Sequence, residues 1–263
     1  MSTKDGDYAI FRADADGKHV RRLTKEKGDP STPAGLFFQI EPAWSPDGRR
    51  IVFVSARDGV AHLFVMNPDG SGTRRLTNTK KDDGRASWSP DGKQLVFGRE
   101  GAVFRMPAAG GLAERVGKGF GSAADPVYSP DGKLIAYDYR KPGFSIREVY
   151  VMNADGTGVR QLTKLRQVSG LPAWSPDGTR IAFQSNARGG HYEIYTIHVD
   201  GTGLEQVTGS TTTDTIQPAY APDGSLVFAR DGAIWVDRKE TETQLTSGKN
   251  NDSAPAWRPI APK

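Results

Sequence analysis

Apolar residues in this chain come in short runs bounded by turns rich in Gly, Pro and Asp. Residues 42–77 show the unit most clearly. Pro42-Ala43-Trp44 predicts a short strand, and Ser45-Pro46-Asp47-Gly48 a tight turn in which Pro sets φ and Gly tolerates positive φ. Ile51-Val52-Phe53-Val54 predicts a second strand, ended by the turn Arg57-Asp58-Gly59. Leu63-Phe64-Val65-Met66 predicts a third, and Thr73-Arg74-Arg75-Leu76-Thr77 a fourth whose polar residues suit an outer edge. The pattern predicts a four-stranded antiparallel meander.

The unit repeats. Aromatic-Ser-Pro-Asp-Gly stands at Trp44, Trp88, Tyr128 and Trp174; it softens to Tyr220-Ala221-Pro222-Asp223-Gly224 and is cut short at Trp257-Arg258-Pro259. The anchors step by 44, 40, 46, 46 and 37 residues, the period of propeller blades. The third and fourth strands also recur six times, beginning at Ile10-Phe11 with Arg21-Arg22-Leu23-Thr24 and ending at Ile234-Trp235 with Thr243-Gln244-Leu245-Thr246. The two series are offset. The first outer pair has no inner strand before it, and the last inner strand has no outer pair after it. The expectation is an all-β fold, a six-bladed β-propeller forming one domain over residues 1–263. Its shared blade would be built from about residues 1–24 and 252–259, so that pairing the terminal strands closes the ring.

One part of the shared blade has no counterpart. Asp5-Gly6 aligns with Asp58-Gly59 without a gap, which sets Met1 opposite Val54 and leaves no equivalent of Ile51 to Phe53. A shortened chain or a downstream start is one reading. A vacant slot that accepts a strand from a partner is the other. The aggregation hazard of an unpaired slot favours the first.

Composition narrows the class. With 31 Gly and 17 Pro, the chain suits many short strands and opposes long helices. No apolar run is long enough to span a membrane, so membrane insertion is not expected. Met1-Ser2-Thr3-Lys4-Asp5-Gly6 carries no signal-peptide pattern. The absence of Cys rules out disulfides and thiolate metal sites. A net charge of +4 leans towards acidic partners but falls short of a nucleic-acid footprint.

The run Pro-Ala-Trp-Ser-Pro-Asp-Gly, Ile-Val-Phe-Val-Ser-Ala-Arg-Asp-Gly and Leu-Phe-Val-Met-Asn-Pro-Asp-Gly-Ser-Gly-Thr-Arg-Arg-Leu-Thr resembles the TolB-type, WD-like propeller repeat over essentially residues 2–259. The resemblance implies a bacterial cell-envelope setting, periplasmic or secreted, and binding to a protein such as an envelope lipoprotein. Similar propellers also gate prolyl-oligopeptidase-type enzymes or act as lyases on pectin fragments. Fold alone does not choose among these.

The second-to-third strand turns open on one face, and each contributes a basic residue: Lys4, Arg57, Arg99, Arg140 with Lys141, Arg188 and Arg230. Such a ring would hold an acidic peptide, a carboxylate-bearing saccharide or an acidic protein surface. The alternative is that each Arg pairs with an acid of a neighbouring blade, such as Asp83, Asp125, Asp214 or Asp252. Two insertions, residues 25–41 and 140–147, lie on that face and carry Phe37, Phe38 and Phe144 as candidate partner contacts, with Phe37 and Phe38 folding down to plug the channel mouth as the alternative. Catalytic signals are sparse. His19, His62, His191 and His198 share no common register for a three-His metal centre, and no Gly-x-Ser-x-Gly elbow occurs. No cofactor is required; Asp125, Asp214 and Asp252 with Glu41 are candidates for Ca²⁺ near the channel. The leading expectation is a monomeric, non-catalytic binding module. A metal-dependent saccharide lyase of the oligogalacturonate type and a sensor domain trimmed from a membrane-anchored protein are the alternatives.

Overall fold

A computed structural model describes residues 9–24, 39–57, 59–117, 121–188, 190–209, 212–238, 241–249 and 251–259. Its strands form five four-stranded antiparallel sheets, each meandering in chain order, and one two-stranded sheet. We number the full sheets as blades one to five, over residues 39–75, 83–116, 122–161, 169–206 and 215–244. The two-stranded ribbon joins Phe11–Arg12 to Arg21–Arg22. No helix occurs among the described residues.

Every blade's second strand reads as an unbroken apolar run because it is covered on both faces. In blade one this strand is Ile51–Ser55, buried throughout. Its Ile51 and Phe53 cluster with Ile10 and Leu23 of the ribbon, while Val52 and Val54 cluster with Trp88, Leu95 and Phe97 of blade two. The same interleaving carries blade two into blade three through Val96, Ile135 and Tyr137, and blade four into blade five through Ala182 and Phe228. Indoles add a polar tie. Trp88 Nε1 donates to the Ala43 carbonyl at 3.1 Å, and Trp174 Nε1 to that of Val127 at 3.2 Å.

The repeated motifs have local causes. In the first Ser-Pro-Asp-Gly turn, Ser45 Oγ and the Arg49 amide both donate to Asp47 Oδ1, at 2.6 and 3.0 Å, and Gly48 adopts φ 64°. The hydroxyl and amide bonds hold the Asp47 carboxyl below the usual range, as they do for Asp91, Asp131 and Asp177. The Leu-Thr ending of the outer strand also has a structural use. Leu76 is buried, and Thr77 Oγ1 accepts from the Leu63 amide at 3.0 Å. Thr24 does the same for Ile10 at 3.0 Å, so the ribbon keeps the register of a blade's outer half.

The sixth blade differs from expectation. Residues 251–259 carry no strand, and Phe11–Arg12 pairs with Arg21–Arg22 alone. The structure thus has five complete blades, not six, and among the described residues the terminal segments do not pair into a shared sheet. The reason is geometric. Neighbouring strands hydrogen-bond across about 4.8 Å, and among the described residues no second strand stands between the ribbon and Pro255-Ala256-Trp257 to relay the ladder. The remaining terminal residues of the expected shared blade, 1–8, lie outside those described.

Core burial sets a measurable contrast. Phe183 is fully buried between blades, whereas Leu112 is 94% exposed. Phe183→Ala is expected to cost about 3–5 kcal/mol in denaturant unfolding, and Leu112→Ala less than about 0.5 kcal/mol.

Candidate functional site

Inner strands build the rim of the channel through a shared irregularity. Pairing slips between Ile40 and Ala43, Asp83 and Ala86, Ala124 and Val127, Gly170 and Ala173, and Ile216 and Ala219. At four of these bulges the slipped residue is left-handed without being glycine: Glu41 (φ 55°), Asp125 (51°), Leu171 (52°) and Gln217 (56°). Ala254, before Pro255, repeats the conformation at 47°. Each costs on the order of 1–2 kcal/mol relative to ordinary backbone, and a bulge of this kind re-aims a side chain at a barrel rim. Neighbouring blades satisfy some of the displaced amides. Gln184 Oε1 accepts from the Gln217 amide at 2.9 Å, and Gln217 Oε1 from the Ala254 amide at 2.6 Å.

Between blades one, two and three the rim opens into a cavity of about 470 Å³. Glu41, Asp83 and Asp125 line it with Arg99 and Arg147. Asp83 is buried and accepts from Arg99 Nε at 2.6 Å; its other oxygen lies 3.8 Å from His62 Nδ1. Arg147 Nη1 donates to Asp138 Oδ2 at 2.8 Å and its Nη2 to Ser122 Oγ at 2.9 Å. Burial first, then repulsion from Asp125, pushes the Glu41 carboxyl up to about 7, with Arg85 opposing. Burial and then Asp125 push Asp138 up to about 7 as well, with Arg147 opposing. The rim therefore keeps carboxyls that resist ionisation beside guanidiniums already committed to hydrogen bonds.

The arginines of the expected basic ring make the following contacts. Arg57 lies with its guanidinium carbon 4.2 Å from the centroid of the Phe64 ring, and its Nε donates to Ser55 Oγ at 3.2 Å. Arg99 covers Phe97 and Phe104. Arg230 covers Phe228 and Trp235 and forks onto Glu242 at 2.5 and 3.0 Å. Arg99 meets Asp83 within its own blade, across the first strand pair, and not in a neighbouring blade. Arg140, Arg188 and Phe144 are exposed, Phe144 at 59%. Lys4, Phe37 and Phe38 lie outside the described residues.

Of the acidic positions considered for Ca²⁺, Glu41 and Asp125 share the mouth cavity. Asp214 instead accepts from the Tyr192 amide at 2.8 Å, and Asp252 borders a different cavity. No group of three His, Cys, Asp or Glu side chains converges for a metal among the described residues. Sequence reasoning passed over Arg147 and Arg85. The recurrent residue before Pro-Ala-Trp or Pro-Ala-Tyr, as in Glu41-Pro42 and Gln217-Pro218, was the available signal for the bulge.

Because Glu41 and Asp138 have raised folded-state values, their contribution to stability is complete below the unfolded carboxyl range and is lost as pH rises through about 7. Glu41→Gln is expected to flatten that loss. At pH 8 it should exceed wild type by on the order of 1–3 kcal/mol in urea unfolding, with little difference at pH 4.

A family model for the TolB beta propeller domain matches residues 35–164 and 118–262. A TolB homologue of Chlorobium luteolum is 30% identical over 194 residues, which is 74% of this chain and 32% of that protein. The Tol-Pal system protein TolB of Anaeromyxobacter dehalogenans is 30% identical over 169 residues, 64% of this chain and 27% of that protein. This chain thus spans about a quarter to a third of those two relatives. The crystal structure of TolB from Acinetobacter baumannii aligns with a TM-score of 0.79 at 20% identity, covering 96% of this chain and 63% of that one. At that identity the likeness speaks for the fold alone. With the family model spanning most of its length, this chain belongs to the TolB β-propeller domain family.

Proposed function

We propose that this chain is a non-catalytic protein- or peptide-binding propeller of the bacterial cell envelope, periplasmic or secreted. It acts as a monomer whose loop face and channel mouth form the contact surface. The observation that carries this reading is the mouth cavity, where fixed charges sit on a rim of bulged strands locked between blades. A rigid rim of this kind loses little conformational freedom on binding. Around it, Arg140 and Arg188 keep exposed charge for an acidic partner surface, and Phe144 offers an apolar contact on the same turn as Arg140. Arg57, Arg99 and Arg230 serve mainly to clamp their own blades, since each covers an aromatic ring there.

The second reading, a metal-dependent lyase of the oligogalacturonate type, requires a converging set of metal donors. No helix of the described residues is long and apolar enough to cross a membrane.

The test is affinity capture from a bacterial envelope extract with wild type and an Arg140→Glu/Arg188→Glu/Phe144→Ala variant. All three side chains are exposed, so the variant is expected to unfold within about 1 kcal/mol of wild type. A defined protein held by wild type and reduced at least tenfold with the variant supports the contact face. Equal retention by both, or retention of nothing, counts against it.

A further inference from the structure

Three loops at the mouth-face corner of blades three and four carry charge of one sign. The turn at residues 140–147 reads Arg-Lys-Pro-Gly-Phe-Ser-Ile-Arg, the connection at 162–168 Leu-Thr-Lys-Leu-Arg-Gln-Val, and the turn at 186–192 Asn-Ala-Arg-Gly-Gly-His-Tyr. Together they hold Arg140, Lys141, Arg147, Lys164, Arg166 and Arg188, and no Asp or Glu.

Hydrogen bonds bring the three loops together. Arg166 N donates to Glu148 Oε1 at 2.8 Å, and Ser169 N to the Arg147 carbonyl at 2.9 Å, which ties the connection to the turn of blade three. On its other side Val168 N donates to Asn186 Oδ1 at 3.1 Å, which ties it to the turn of blade four. Leu165 and Ala187 pack on the apolar core shared by these blades. The connection is thus anchored by Leu165, while Lys164 and Arg166 on either side of it are exposed.

The acids closest to these loops are already engaged. Asp138 accepts from Arg147 Nη1 at 2.8 Å, and buried Glu148 accepts from Thr163 Oγ1 as well as from the Arg166 amide. Asp214, on the side of blade five, lies 3.4 Å from His191 Nδ1. Arg140, Lys141, Lys164, Arg166 and Arg188 are exposed and make no ion pair among the described residues. Lys141 Nζ donates to the neutral Gln161 Oε1 at 3.3 Å. Other cations of the propeller stand against acids, as Lys81 on Glu100 and Arg230 on Glu242.

An apolar tip stands within this charge. Phe144 is largely exposed, in a turn closed by its amide on the Lys141 carbonyl at 3.2 Å. A Cβ placed on Gly143 or on Gly190 would meet no atom within 4 Å, so both turns stand clear of the body. None of the five exposed cations lines the mouth cavity. The corner is a projecting surface of long cationic side chains around one aromatic tip. An anionic bilayer suits it: the negative surface potential attracts each Lys or Arg, and an apolar side chain enters the headgroup boundary. Long cationic side chains lay their methylenes along apolar material while the charge stays in water. A fluid array of phosphates adjusts to cations spread over three loops, whereas a folded partner would have to supply a fixed acid for each.

We propose that this corner is a peripheral docking site for an anionic phospholipid surface, with Arg140, Lys141, Lys164, Arg166 and Arg188 against the phosphates and Phe144 in the headgroup layer. The corner overlaps the contact face proposed above at Arg140, Phe144 and Arg188 but needs no protein partner, so the vesicle measurement and the affinity capture succeed or fail separately.

The probes are vesicles of phosphatidylcholine alone and of phosphatidylcholine mixed with phosphatidylglycerol, added to the 263-residue chain and followed by co-sedimentation. Partition onto the mixed vesicles is expected to exceed that onto phosphatidylcholine at least about tenfold, and to fall at least about tenfold between about 0.05 and 0.5 M salt. Lys141→Glu/Lys164→Glu/Arg166→Glu should lower it at least about tenfold, with an unfolding midpoint in urea close to wild type. Phe144→Ser keeps every charge and should lower partition about threefold to tenfold. Equal partition onto both vesicle types, or unaltered partition of either variant, would overturn the proposal. Retention on a poly-glutamate resin without vesicle binding would also overturn it, and would assign the corner to an acidic polypeptide.

Discussion

A single strand position carries the architecture: the second strand of each blade, apolar on both faces, must be covered by two neighbouring sheets. One sheet alone cannot do that, and so the blades depend on one another in series. Phe53, Phe97, Phe183 and Phe228 are fully buried because a neighbour closes over each of them. At about 25 cal/mol per Å² of apolar surface, these layers outweigh any surface ion pair in the molecule. The Ser-Pro-Asp-Gly turns and the Leu-Thr edges hold each sheet in the register that this stacking requires.

The same stacking explains the rim. Inner strands converge on the channel, and the bulges at Glu41, Asp125, Leu171 and Gln217 absorb the crowding with left-handed residues. Packing from the blades behind holds those conformations in place. Carboxyls brought to the rim are then poorly hydrated and close to one another, and this raises Glu41 and Asp138. Arginines meet the other half of the balance, either by pairing with a buried acid, as Arg99 with Asp83, or by lying on an aromatic ring, as Arg57 on Phe64.

Much of the fold was legible because each turn states its own chemistry. Gly48 sits at positive φ, Asp47 accepts from two donors, and the sequence shows both requirements as Ser-Pro-Asp-Gly. The offset between inner and outer strand series predicted a sixth blade shared by the termini, which the described residues do not form. What the sequence hid was side-chain direction. Arg57, Arg99 and Arg230 follow one turn formula and suggested a ring, yet their guanidiniums turn onto Phe64, Phe97 and Phe228, residues that look like ordinary core. Arg147 escaped notice because it lies at the end of an insertion, and only the fold brings it to Asp138. Asp83 was read as a partner for a neighbouring blade, since register across a bulge is not visible in a linear sequence.

Hydrogen exchange across the free chain tests most directly the claim that two-sided coverage of the second strands sets stability. Amides of Ile135–Tyr137 and Ile181–Phe183, covered on both faces, are expected to exchange slowest. Those of Phe11, Arg12, Ala256 and Trp257, which line a cavity between blade five and blade one, should exchange at least about 100-fold faster. Protection at Ala256 and Trp257 equal to that at Ala173 and Trp174 would contradict the account, because among the described residues no second strand pairs with Ala256 and Trp257 as Ala182 and Ile181 pair with Ala173 and Trp174.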